Sequence, residues 1–173
     1  MKTKLLSWTG LALLLLAPCH IACAAVDEAD TNQSKTPSGL PVPRFASLRS
    51  DEVNMRTGPG TRYPIEWVFK RQGLPVEVIS EYEVWRRVRD PDGAEGWVHE
   101  SALSGKRSVI VTAPHDLLDD ADPKAAVVAH VQAGVVGQLV SCSKDWCKLR
   151  INGIKGYLPR GDFWGAKVGE KLE

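Results

Sequence analysis

The chain has 173 residues, of which 43% are hydrophobic and 25% charged, with 22 basic residues against 21 acidic ones and four cysteines. That length holds one ordinary domain or two small ones. A formal net charge of +1 lacks the electrostatic footprint of a general nucleic-acid binder, so nucleic acid is excluded from the expected partners.

Residues 1–24 read as an export signal. Lys2 and Lys4 make a basic start, residues 5–17 are mostly apolar with a leucine run at 13–16, and Ala22-Cys23-Ala24 offers the small residues a signal peptidase reads. The apolar stretch is too short to span a bilayer, and cleavage is expected after Ala24. Lipid attachment at Cys19 or Cys23 is disfavoured. Pro18 stands where the first site needs a small residue, and His20 where the second needs an aliphatic one. Removing Lys2 and Lys4 from the 22 basic residues leaves 20 against 21 acidic ones, a mature charge of −1. Nothing later is apolar and long enough to cross a membrane, so the mature protein is expected to be periplasmic or secreted, without a membrane span. Residues 25–43 are polar, contain three prolines and lack periodicity, which predicts a disordered linker.

From Arg44 onward, short apolar runs alternate with Gly, Pro and Asp clusters, the pattern of small all-β barrels. Strands are expected in the first unit at 45–48, 53–56, 67–70, 76–80, 85–89 and 96–99. Residues 53–64 read VNMRTGPGTRYP: Val53 and Met55 alternate with Asn54 and Arg56, and Gly58-Pro59-Gly60 then forces a turn in which the glycines are free to take positive φ. Asp90-Pro91-Asp92-Gly93 is a strong turn signal. GWVHESAL at 96–103 suits a last strand entering one turn of 3₁₀-helix.

The second unit repeats the first. Gly73 and Gly134 are 61 residues apart, as are Trp85 and Trp146, whereas Gly96 and Gly156, like Trp97 and Tyr157, are 60 apart. An offset that survives a one-residue loop change points to a duplication, giving domains at 44–105 and 106–166 and a C-terminal tail at 167–173. Each domain is near the lower size limit for an independent core. After processing only Cys142 and Cys147 remain, an even number in an oxidising compartment. A two-residue turn at Lys144-Asp145 sets them opposite each other at a Cα separation of roughly 4.5 Å, within reach of a disulfide. With so short a loop the bridge contributes about 2 kcal/mol. The 61-residue offset replaces the two cysteines with Glu81 and Arg86 in the first unit, which predicts an opposite-charge cross-strand pair.

VNMRTGPGTRYP, GLPVEVI at 73–79, VWRRV at 84–88 and GWVHESAL together resemble the bacterial SH3-like domain family, most closely its exported, tandem-domain alphaproteobacterial kind. The likeness covers Phe45 to about Trp164. The second copy keeps DWCKLR and GYLPRGDFWG, but residues 112–123 depart from the Arg-x-Gly-Pro pattern, so no ligand role carries over to that loop. The resemblance implies five- or six-stranded barrels that bind cell-wall peptides or proteins.

Arg56, Tyr63, Trp85 and Arg87 are the candidate ligand-binding residues. Aromatic side chains beside arginines hold a short peptide and pair with its carboxylate. In β alternation Arg86 and Val88 share one face, Trp85 and Arg87 the other, so Trp85 and Arg87 should face out or into a groove. The competing reading makes Trp85 a core residue and has Arg56 brace the turn. Trp67 and Trp97 are expected in the core. His99, His115 and His130 share no metal-ligand spacing and have no nucleophile beside them, so they read as isolated surface histidines. Asp116, Asp119, Asp120 and Asp122 lack calcium-loop spacing and read as solvated. No catalytic set, metal or cofactor is expected. The chain reads as a non-enzymatic binder of a cell-wall peptide or peptidoglycan-associated partner, with an adaptor for another envelope protein as the alternative.

Overall fold

A computed structural model describes residues 36–170 and Leu172. The expected signal at 1–24, and the linker as far as residue 35, lie outside the described residues. Strands β1 (Arg44–Leu48), β2 (Val53–Arg56), β3 (Ile65–Phe69), β4 (Pro75–Tyr82), β5 (Trp85–Arg89), β6 (Glu95–His99) and β7 (Leu103–Ser104) form one antiparallel sheet in the order β3-β2-β6-β5-β4-β1-β7. Strands β8 (Ser108–Val111), β9 (His115–Leu118), β10 (Val127–Val131), β11 (Val136–Cys142), β12 (Trp146–Ile151), β13 (Ile154–Pro159) and β14 (Phe163–Trp164) form a second, in the order β10-β9-β13-β12-β11-β8-β14. The two orders are the same, so the described residues form an all-β structure whose second sheet repeats the first. Each sheet has seven strands, not five or six, because a two-residue strand follows the single 3₁₀ turns at Glu100–Ala102 and Arg160–Asp162.

Each sheet wraps its own core. Leu48, Met55, Val76, Val78, Val88 and Val98 fill the first, and Val109, Val111, Leu117, Leu149 and Leu158 the second. Their period-two spacing along the strands turns one side chain in two inward. The one-residue slip between copies has a local cause. β5 and β6 are joined through Pro91, Asp92 and Gly93, with Asp90 Oδ1 accepting from the amides of Asp92 (3.0 Å) and Ala94 (2.8 Å). β12 and β13 are joined by Asn152-Gly153 alone, at φ 50° and 86°, the conformation of a two-residue type I′ hairpin. A second slip has no sequence motif to announce it. Leu48 N bonds Leu74 O as Val111 N bonds Val135 O, so the opening strands are 63 residues apart.

Gly96 and Gly156 share one role. A Cβ on Gly96 would sit 2.5 Å from Met55 Cγ, and one on Gly156 2.5 Å from Leu117 Cγ. A large apolar side chain of the neighbouring strand fills the space above each glycine.

The hairpin register places Cys142 opposite Cys147 with Ser143 facing Trp146, and the disulfide is formed at a Cα separation of 4.1 Å. At the matching place in the first sheet Glu81 faces Arg86, and their side chains form an ion pair at 3.2 Å. Three expectations need correction. Trp67 is 59% exposed, because β3 is an edge strand and the position opposite Met55 lies beyond the core. Trp97 is only half-buried, since alternation gives the inward positions of β6 to Gly96 and Val98. Residues 36–43, expected to be disordered, are held by Ser38, whose amide (2.9 Å) and hydroxyl (2.7 Å) donate to the Glu81 carboxylate. The segment after residue 166 is likewise engaged: Glu170 takes two hydrogen bonds from Arg107 (2.6 and 3.0 Å), and Leu172 bridges to Cys142.

Residues 105–107 pass from one barrel to the next, and contacts surround that passage. Ser108 Oγ donates to Gly73 O (2.5 Å), Arg71 donates to Gly134 O (2.7 Å), and the Phe45 and Trp164 rings meet edge to face at 4.8 Å. Gly156→Ala is expected to cost more than Gly96→Ala, and about 1–3 kcal/mol in urea unfolding. The added methyl would meet the Leu118 carbonyl at 2.7 Å as well as a side chain, whereas at residue 96 the Arg56 carbonyl is farther off, at 3.0 Å, and the flexible Met55 gives way more easily.

Candidate functional site

The loop at residues 57–64 is shaped by three devices. Thr57 N bonds Pro64 O (3.1 Å) and closes its neck. Arg56 donates from one guanidinium nitrogen to the carbonyls of Tyr63 (2.7 Å) and Thr61 (3.2 Å). The Tyr63 ring folds against the backbone, where a Cβ on Gly58 would meet it at 2.4 Å. Neither Gly58 nor Gly60 has positive φ, contrary to expectation. Close approach of the ring is what excludes a side chain at Gly58. The Arg62 guanidinium stacks 5.1 Å over the outer side of that ring, and its hydrogen bond to the Tyr63 hydroxyl raises its pKa further.

Facing this loop is the β4–β5 hairpin, closed by Tyr82 opposite Trp85, with Glu83 at φ 49° in the turn. Between loop and hairpin runs a groove of about 490 Å³, lined by Pro59, Thr61, Arg62, Tyr82, Trp85 and His99 among others. Trp85 forms its floor. It lies on the face opposite Arg86 and Val88, as alternation requires, yet it is only 8% exposed, covered by groove walls and not by the core. Its indole meets the His99 ring edge to face at 5.5 Å. His99 Nδ1 accepts from the Ser101 amide (3.2 Å), so in the neutral ring the proton sits on Nε2.

The floor is held from beneath. Arg86, with a side chain 5% exposed, donates to the carbonyl oxygens of Glu83 (2.7 Å) and Trp85 (3.1 Å) and pairs with both Glu81 and Glu100. Glu81 is fully enclosed and also takes Arg44 at 2.6 Å. Burial alone would raise its pKa. The Ser38 amide and hydroxyl, followed by the Arg44 guanidinium, outweigh that and hold the carboxyl below its ordinary range.

Of the four residues singled out in the sequence, three meet here: Arg56 and Tyr63 build the loop and Trp85 lies under it. Arg87 shares the face of Trp85 but stands apart from the groove, paired with Glu95 at 2.8 Å and opposite Trp97. Arg62, Tyr82 and His99 complete the groove. The sequence carried no signal for His99, which reaches Trp85 only through the β5–β6 register. In the second barrel the register puts Leu118, Ala125 and Pro159 at the positions of Arg56, Tyr63 and His99. Its histidines are not isolated. His115 pairs with Asp162 (3.3 Å) and His130 with Asp116 (2.5 Å). Among the described residues no group of three His, Cys, Asp or Glu is placed to hold a metal.

Residues 49–105 and 113–165 each match the model of the bacterial SH3 domain. No curated protein matches the chain. Among solved structures it is similar to NlpC2 of Trichomonas vaginalis (10% identity, TM-score 0.34, covering 72% of this chain and 48% of that one). It is also similar to NlpC1 of the same organism (11%, 0.34, 72% and 46%) and to an NlpC/P60 family protein of Bacillus cereus (15%, 0.32, 72% and 57%). The chain spans about half the length of these structures.

Glu81→Gln is expected to cost about 3 kcal/mol, because it leaves Arg86 and Arg44 without their shared carboxylate. The folded carboxyl titrates below its unfolded value. Its stabilisation is therefore complete above about pH 4.3 and is lost as pH falls through the lower, folded value. Urea midpoints measured between neutral and acidic pH should show that loss in the wild type, and a smaller one in the variant.

Proposed function

Since the chain belongs to the bacterial SH3 domain family, we propose that it is an exported, non-enzymatic binding protein that recognises a cell-wall peptide or a peptidoglycan-associated partner. The observation that carries this reading is the groove on the first barrel, floored by Trp85 and His99 and rimmed by Arg62 and Tyr82. An aromatic floor with a cation on its rim suits a short peptide: the rings bury its apolar part and the guanidinium pairs with a carboxylate. Arg56 and Tyr63 serve the site by fixing the loop, whereas Arg87, paired with Glu95, stands outside it. Export is part of the proposal. The sequence of residues 1–24 and the Cys142–Cys147 disulfide, suited to an oxidising compartment, support it.

A second reading is an adaptor that binds another envelope protein and no glycan. It draws on Ile65 and Trp67, 46% and 59% exposed on edge strand β3, since an exposed apolar edge suits pairing with another chain.

Co-sedimentation of the mature protein with purified sacculi tests the first reading. Arg62→Ala and Tyr82→Ala alter exposed side chains and should leave thermal unfolding unchanged while each weakens retention about tenfold. Retention equal to wild type in both variants would remove the groove from the account. A wild type that ignores sacculi but captures envelope proteins would favour the adaptor.

A further inference from the structure

The outward face of the second barrel differs in charge from the same face of the first. In the first, the cross-strand rows are Glu77–Arg89–Glu95 and Ser80–Arg87–Trp97. Arg89 pairs with Glu77 (3.2 Å) and Glu95 (2.7 Å), and Arg87 with Glu95 (2.8 Å), so the face neutralises itself. In the second, the matching rows are Gln138–Arg150–Lys155 and Ser141–Lys148–Tyr157. The serine–cation–aromatic row is kept, while both carboxylates of the other row are replaced, one by an amide and one by a lysine. Arg150 and Lys155, both exposed, are direct cross-strand partners of like charge, an arrangement that destabilises a sheet. Among the described residues, no carboxylate pairs with Lys148, Arg150 or Lys155. Lys148 Nζ instead lies 5.1 Å from the Tyr157 ring centroid.

We propose that this face is a docking surface for an extended acidic peptide of a protein partner, with Lys148, Arg150 and Lys155 as its anchors and Tyr157 as an aromatic platform. The ligand class follows from charge complementarity and fits the spacing of the cations. Lys148 and Arg150 are two residues apart on one strand and so recur at about 6.8 Å, the same-face repeat of any extended peptide. Carboxylates at alternate positions of such a peptide meet them in turn, and Lys155, one strand across, widens the cationic strip. The surface lies on the second barrel and depends on none of the groove residues, so it stands or falls independently of the first barrel's ligand.

Fluorescence anisotropy of the full chain tests this, using a labelled peptide of about ten residues that alternates Glu and Ser, at low salt. Wild type should bind it, weakening as salt rises, and should bind less tightly a peptide of the same composition with its Glu residues in one block. Lys155→Glu reproduces the opposite-charge row of the first barrel. It should raise the melting temperature while weakening peptide binding about tenfold, a combination that misfolding cannot produce. The proposal is overturned by any of four results: no binding by wild type, equal affinity for the blocked peptide, affinity unchanged in Lys155→Glu, or binding of polyphosphate in place of the peptide.

Discussion

One cross-strand position, the pair just outside the central hairpin turn, governs both halves of this molecule. In the second barrel it is occupied by the Cys142–Cys147 bridge, and in the first by Glu81 and Arg86. Both solutions pin the hairpin where a barrel of this size has little core to spare. Their chemistry differs in reach. A disulfide satisfies itself, whereas a buried carboxylate and guanidinium are costly to desolvate and must recruit further partners. Glu81 therefore gathers Ser38 and Arg44, and Arg86 gathers Glu100 and the carbonyls of Glu83 and Trp85. That recruitment draws residues 36–43 onto the first barrel and fixes the backbone beneath Trp85.

The same contrast runs through the loop that faces each hairpin. Around the ionic pair, polar side chains converge on the hairpin, and the loop at 57–64 is folded over the floor by Arg56 and Tyr63. Around the disulfide the corresponding positions are Leu118, Ala125 and Pro159, and the loop at 119–126 is closed by its own backbone and Asp side chains. Duplication kept the scaffold, while the two copies diverged in what they present to solvent.

Most of the scaffold was legible in the chain because its signals are local. Alternating apolar residues, the Asp90–Gly93 turn and the repeat offset of Gly73 and Trp85 located the strands, and the offset itself led from the cysteines to Glu81 and Arg86. What stayed hidden depends on where a strand sits. Trp67 looks like a core residue until β3 proves to be an edge, and Trp97 until Gly96 takes the inward position. Gly58 reads as a turn glycine free to take positive φ, when its requirement is room for the Tyr63 ring. His99 reaches the groove only through pairing across two strands, which no spacing in the sequence encodes. Ser38 belongs by sequence to a disordered linker because its partner lies 43 residues away.

The passage between the barrels is brief: β7 ends at Ser104 and β8 begins at Ser108. The four Cα steps from Ser104 to Ser108 span at most about 14 Å even when fully stretched, and one of the three residues between, Arg107, is already committed to Glu170 and to the carbonyl of Gly165. A long flexible connection would let two modules reach epitopes at many separations, at an effective concentration set by chain statistics. Here that freedom is absent, so avidity toward any bivalent target would be decided by how far apart the target holds its two epitopes.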